Sequence, residues 1–183
     1  MTGIADIKAL RRRVRRRLAA EDGVVSIEFV MWISLYIFVF LASVEAGVLL
    51  ARVTMLDRAL DIAVRDVRLG IGDIDEHDEL VDRICDNTMI IKDCDTSLHL
   101  ELRPVSTVTW EPLNSSTQCV DRTGDITPVM DFRIGGENEL MLVRACAVVD
   151  PIFPTTGLGL RLPKDASGGY RMVVSSAFVN EPR

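Results

Sequence analysis

The sequence predicts an α+β protein: a long N-terminal transmembrane helix extending into a small antiparallel β-sheet domain. Three observations carry this reading. The 183 residues suit one domain of ordinary size plus an anchor. Apolar residues are concentrated early, and the 27 residues from Val24 to Leu50 hold only two charges, Glu28 and Glu45. Period-two alternation and turn-rich stretches are confined to the C-terminal half. The expected division is a basic leader (1–23), a membrane-spanning and projecting helix (24–69) and an outer α+β domain (70–183).

The leader carries seven basic residues (Lys8, Arg11, Arg12, Arg13, Arg15, Arg16 and Arg17) and three acidic ones (Asp6, Glu21 and Asp22), a net of +4. The whole chain is −6, so residues 24–183 carry −10. A basic cluster directly before an apolar span assigns that end to the cytoplasm and the rest to the far side. Nucleic acid is not the expected partner. The arginines have no aromatic interleaving, and the acidic remainder repels phosphate.

The apolar run is too long for the core of a cleaved secretory signal, and no AxA-like site closes it. Roughly 20 helical residues cross a hydrocarbon core about 30 Å thick, so this run can span with tilt to spare. Glu28 lies about one turn inside the run. A carboxylate at that depth is costly unless it reaches the headgroups or has a functional partner. Glu45 falls near the outer end, where it is expected at the interface or against a partner helix.

Helical periodicity continues through Val44, Val48, Ala51, Met55, Leu56, Ala59, Leu60, Ala63 and Val67. Arg52, Asp57, Arg58, Asp61, Arg65, Asp66 and Arg68 occupy the opposite face, and Gly70 and Gly72 supply the stop. At 1.5 Å per residue such a helix is about 70 Å long. Its apolar stripe packs most simply on the outer domain, with other subunits as the alternative.

Residues 71–86 are acidic and predict a short helix around Leu80, Ile84 and Cys85. Asp73, Asp75, Asp78 and Glu79 match a calcium loop in composition only, because the Gly and Glu positions of an EF-hand are missing. Leu98–Arg103 alternates and predicts a strand with His99 facing solvent. Ser106–Trp110 and Val129–Ile134 are short strand candidates. Leu140–Val149 reads as a central strand and Tyr170–Val179 as the last one. Residues 111–127 and 151–167 are loops, the second displaying Phe153, Leu158 and Leu160 for a partner.

Cys85, Cys94, Cys119 and Cys146 all follow the span. Four cysteines in an exported domain read as two disulfides with three possible connectivities. Free thiols and a metal site are the rivals, and metal is disfavoured by spacings of 9, 25 and 27 with only His77 and His99 to help. The shortness of the 85–94 interval favours that pair, leaving Cys119 with Cys146. No cofactor or metal is called for. No Gly-x-Ser-x-Gly, P-loop or metal-binding His pair is present, so no catalytic residue is assigned.

Gly23-Val24-Val25-Ser26-Ile27-Glu28-Phe29, directly after an arginine-rich leader, resembles the prepilin-peptidase signal of type IV pilin-like proteins. The stretch Asp22–Val30 resembles the opening of TadE-like proteins, the pseudopilins of tight-adherence (Flp) pilus systems. The ending Val179-Asn180-Glu181-Pro182-Arg183 is similar to the Asn-Glu-Pro ending of that family, and the layout agrees. The acidic pair Glu21-Asp22 before Gly23 departs from the usual leader.

The resemblance implies cleavage between Gly23 and Val24 by a membrane aspartyl peptidase. It implies that Glu28, beside Phe29, sets subunit register by neutralising the new amine of a neighbour. The implied setting is the bacterial inner membrane, single-pass, with a periplasmic domain. The implied partners are the peptidase, other pilin or pseudopilin subunits and the assembly platform. The alternatives are an uncleaved bitopic protein with a partner-binding outer domain and a minor pseudopilin of a type II secretion system.

Overall fold

The structure is a computed structural model that describes residues 24–71, 76–89, 91–109, 119, 120, 122 and 131–181. The leader, Gly23, Gly72, Asp73, Asp75, Trp110 and most of the 111–130 stretch lie outside the described residues.

Helix α1 runs unbroken over Val24–Arg68. It contains neither proline nor any glycine except Gly47, so nothing interrupts the hydrogen-bond ladder. It stops where the sequence supplies Gly70. That residue adopts φ 63°, the Gly70 N–H donates to Val67 O at 3.1 Å and the Ile71 N–H to Asp66 O at 2.9 Å. This is the Schellman arrangement, which satisfies the last carbonyls and needs a left-handed residue that glycine adopts cheaply.

Next come α2 (His77–Asp86), the single turn α3 (Cys94–Ser97) and β1 (Leu98–Pro104). They are followed by β2 (Leu140–Val149), the short α4 (Gly157–Arg161) and β3 (Tyr170–Val179). The three strands form one antiparallel sheet in the order β1-β2-β3. Three named strands are found among the described residues, and the candidates at 106–110 and 129–134 are not among them. Ser106–Thr109 is a turn because the Ser106 hydroxyl accepts the N–H groups of Val108 and Thr109 at 3.3 and 3.2 Å. Phe132 makes only an isolated parallel bridge to Leu102, while Val129 and Met130 lie outside the described residues.

The chain divides between Ser43 and Val44 into two units. That division falls inside α1, and Leu56, Ala59, Leu60, Ala63, Val64 and Val67 belong to the domain core. They pack with α2 through Leu80, Val81 and Ile84 and with one sheet face. That face holds Leu98, Leu100 and Leu102, then Met141, Val143, Ala145 and Ala147, then Met172, Val174 and Phe178. Alternation along each strand selects these residues for one side. Asp66 on α1 pairs with Arg83 on α2 at 3.0 Å.

The other sheet face differs between strands. Over β1 and β2 it is covered: Cys146 is bonded to Cys119, and Arg144 pairs with Glu101 at 2.7 Å. His99, expected in solvent, is instead only 6% exposed. The His77 ring lies 6.4 Å from it and packs edge-on against Phe132 at 5.6 Å. Over β3 the same face is open, with Arg171, Val173, Ser175, Ala177 and Val179 exposed.

Candidate functional site

The first half of α1 is the candidate site. One helix in the structure is long and apolar enough to cross a membrane, and this is its apolar part. Phe29, Trp32, Tyr36 and Phe40 are all exposed, as are Val25, Ile27, Val30, Met31 and Leu35. An apolar surface on every side of a helix suits lipid and not water. Its small polar groups are satisfied within the helix. The Ser34 hydroxyl donates to Val30 O at 2.7 Å and the Ser43 hydroxyl to Val39 O at 2.8 Å. Tyr36 stacks on Phe40 one turn away, with ring centroids 6.2 Å apart.

Glu28 is exposed on this surface, beside the exposed Phe29. Val24 lies in the helix, and Gly23 is outside the described residues. Positions 24 and 28 are four apart on one helix, so a terminal amine at Val24 and the Glu28 carboxylate would share a face. Glu28 is the sole charged residue from 25 to 44, so that half of the helix offers one polar handle in an otherwise apolar rod.

Glu45 is enclosed by its own domain and is 3% exposed. Its carboxylate accepts the Ile152 N–H with both oxygens at 3.1 Å and the Phe153 N–H at 2.9 Å. Two successive backbone N–H groups aimed at one carboxylate form an anion-binding nest. Tyr170 lies against the same carboxylate. Burial first, and the Glu45 charge second, push its phenol above the ordinary value. The carboxylate thus clips the 151–156 loop to the helix at the first charged residue after the apolar run.

The cysteines pair as 85–94 and 119–146, with Cα atoms 5.7 and 5.3 Å apart. Both separations lie in the range a disulfide tolerates. Asp95 lies beside Cys85 and Cys94 as a third ligand type would, but the two sulfurs are spent on each other. The ending is structural as well. The Asn180 side chain donates to Gly135 O at 2.9 Å, its N–H to Glu139 O at 3.1 Å, and Glu181 pairs with Arg68 at the end of α1 at 2.6 Å.

A described cleft of about 390 Å³ is lined by Arg52, Lys92, Asp93, Thr96, Ser97, Arg122, Asp150 and Ile152 among others. Arg52, Arg122 and Asp150 are joined across it. Arg122 donates to Asp150 at 2.7 Å, which holds the Asp150 carboxyl below its usual value, and Arg52 donates to Asp150 O at 2.9 Å. Among the described residues no nucleophile–base pair lines it. Comparison with family models, curated proteins and solved structures finds no match for the chain.

Proposed function

We propose that this chain is a TadE-like minor pseudopilin that takes part in assembling a type IVb tight-adherence (Flp) pilus. It sits in the bacterial inner membrane through residues 25–44, with the basic leader in the cytoplasm and the disulfide-bonded domain in the periplasm. A prepilin peptidase cuts between Gly23 and Val24, so the chain meets an enzyme as a substrate and is not one itself.

One observation carries this reading. The residues Gly23, Glu28 and Phe29 stand in prepilin-signal spacing at the head of a rod whose other residues, up to Val44, are uncharged. A plain anchor has no need of Glu28. A carboxylate in hydrocarbon is costly when unpaired, so its pairing with the amine of a neighbouring subunit favours one axial register over the others. Cutting removes the +4 leader and creates that amine at Val24. Gly23 suits the cut because a residue without a side chain lies extended in a tight peptidase site.

The test is the intact mass and N-terminal sequence of protein extracted from membranes of cells with a working prepilin peptidase. An N-terminus at Val24 is expected. A full-length chain in those cells sinks the pseudopilin reading and leaves an uncleaved bitopic protein. Co-purification with the major pilin then tests the partners.

A further inference from the structure

The loop that Glu45 holds has a consequence for the membrane. Residues 25–44 rise about 30 Å at 1.5 Å each, the thickness of one hydrocarbon core, so a span that begins at Val25 ends at Glu45. A loop bonded to Glu45 is therefore fixed at the level where the helix leaves the lipid.

That loop is stiff. The Thr156 N–H and hydroxyl both donate to Phe153 O, at 3.2 and 3.1 Å, and Leu160 N–H donates to Thr156 O at 3.1 Å. Gly159 is buried against the Phe153 carbonyl so closely that a Cβ would collide with it. Lys164 donates to Pro154 O at 3.2 Å and closes the far side. This frame keeps two large apolar residues outside the core: Ile152 is 44% and Leu160 67% exposed. Arg161, next to Leu160, is also exposed. Aliphatic side chains with an adjacent arginine, on a rigid loop at the lipid boundary, match the headgroup–acyl zone, where apolar groups dip in and cations meet phosphates.

We propose that the segment Pro151–Arg161 is a second membrane contact. It rests on the outer leaflet with Ile152 and Leu160 among the upper acyl carbons and Arg161 at the phosphates. The inference rests on the reading of residues 25–44 as a span, and its test separates the two.

Single cysteines are introduced as Ile152→Cys, Leu160→Cys, Phe38→Cys and Val173→Cys in the full chain and labelled with a nitroxide. All four sites are exposed side chains, and the native cysteines are oxidised. Each protein is placed at about one copy per vesicle of phosphatidylcholine with phosphatidylglycerol. Collision rates with oxygen, which concentrates in lipid, are compared with those of a water-soluble nickel chelate. The oxygen-to-nickel ratio should be highest at 38, severalfold above the 173 value at 152 and 160, and lowest at 173. A deep label at 38 with 152 and 160 as wet as 173 overturns the loop contact and leaves the span standing. Labels at 152 and 160 shielded from both reagents indicate a protein partner and also overturn it. A wet label at 38 overturns the span and the loop contact together.

Discussion

Along α1, Phe29, Trp32 and Tyr36 are 63%, 64% and 65% exposed, whereas Leu56, Leu60 and Ala63 are fully buried in the domain. The two halves also treat a carboxylate in opposite ways. Glu28 stands exposed on the first half, and Glu45 at the start of the second is enclosed and bonded by two backbone N–H groups. The same secondary structure thus serves two solvents. The first half satisfies its backbone alone and leaves Glu28 exposed. The second half finds all it needs within its own domain.

The sharpest break in this comparison is a truncation on each half. Leu60→Ala removes a fully buried side chain from between helix and sheet and should cost about 3 kcal/mol of domain stability. Phe38→Ala, at an exposed site, should leave the same urea midpoint unchanged. Unfolding of the detergent-extracted protein, followed by the sheet's circular dichroism, checks both. Equal midpoints for the two variants would mean that the domain does not use α1 as its core helix.

The two carboxylates come next. Glu45→Ala should cost about 2 kcal/mol, since it removes charge-assisted bonds and leaves two loop N–H groups without an acceptor. Proteolysis should then nick the 151–156 loop first. Glu28→Ala should leave both membrane insertion and domain stability intact while lowering pilus output. Unchanged pilus output would remove the register role from Glu28.

A smaller effect is expected where the helix ends. Gly70→Ala places a side chain at φ 63° and should cost about 1 kcal/mol. The loss should be seen in the domain's urea midpoint and not in membrane retention.

Much of this fold is legible in the sequence. The helix was legible because period 3.6 persists from Val44 to Val67 and Gly70 supplies a stop. The strands at 98–103, 140–149 and 170–179 were legible from alternation and β-branched content. The partners of Glu45 are not legible because Ile152 and Phe153 are 107 and 108 residues away, and local pattern carries no trace of them. His99 was misread for a similar reason. Alternation places it opposite Leu98 and Leu100 but does not reveal that His77 and Phe132 cover that side. The prolines that flank Ile152-Phe153 were the one available signal for the nest, since they set apart two residues with free N–H groups. For the proposed cut and register site the position is reversed. Gly23, Val24, Glu28 and Phe29 announce themselves by spacing in the sequence, and the fold adds only that Glu28 and Phe29 are exposed.

The smallest expected effect sharpens the comparison through pH. Burial first, and the neighbouring His77 second, lower the pKa of His99 from its ordinary 6.5, with Glu101 opposing them. The unfolded chain therefore binds a proton at this residue more readily than the folded one. Stability from this residue is complete above about pH 6.5 and declines as the pH falls through that value toward the folded pKa. Asp150 works further down. Its hydrogen bond from Arg122 lowers its pKa from 3.8, so its contribution is present above that value and is lost as acid protonates the carboxylate. Urea midpoints measured from about pH 7 to about pH 5 should fall in the native protein and stay flatter in His99→Gln, with the acid step assigned to Asp150 lying below this range in both. Retention in the membrane, read by vesicle flotation, should be constant over the same range because residues 25–44 contain no histidine. A parallel fall in flotation and domain stability would show that the two halves of α1 do not respond independently.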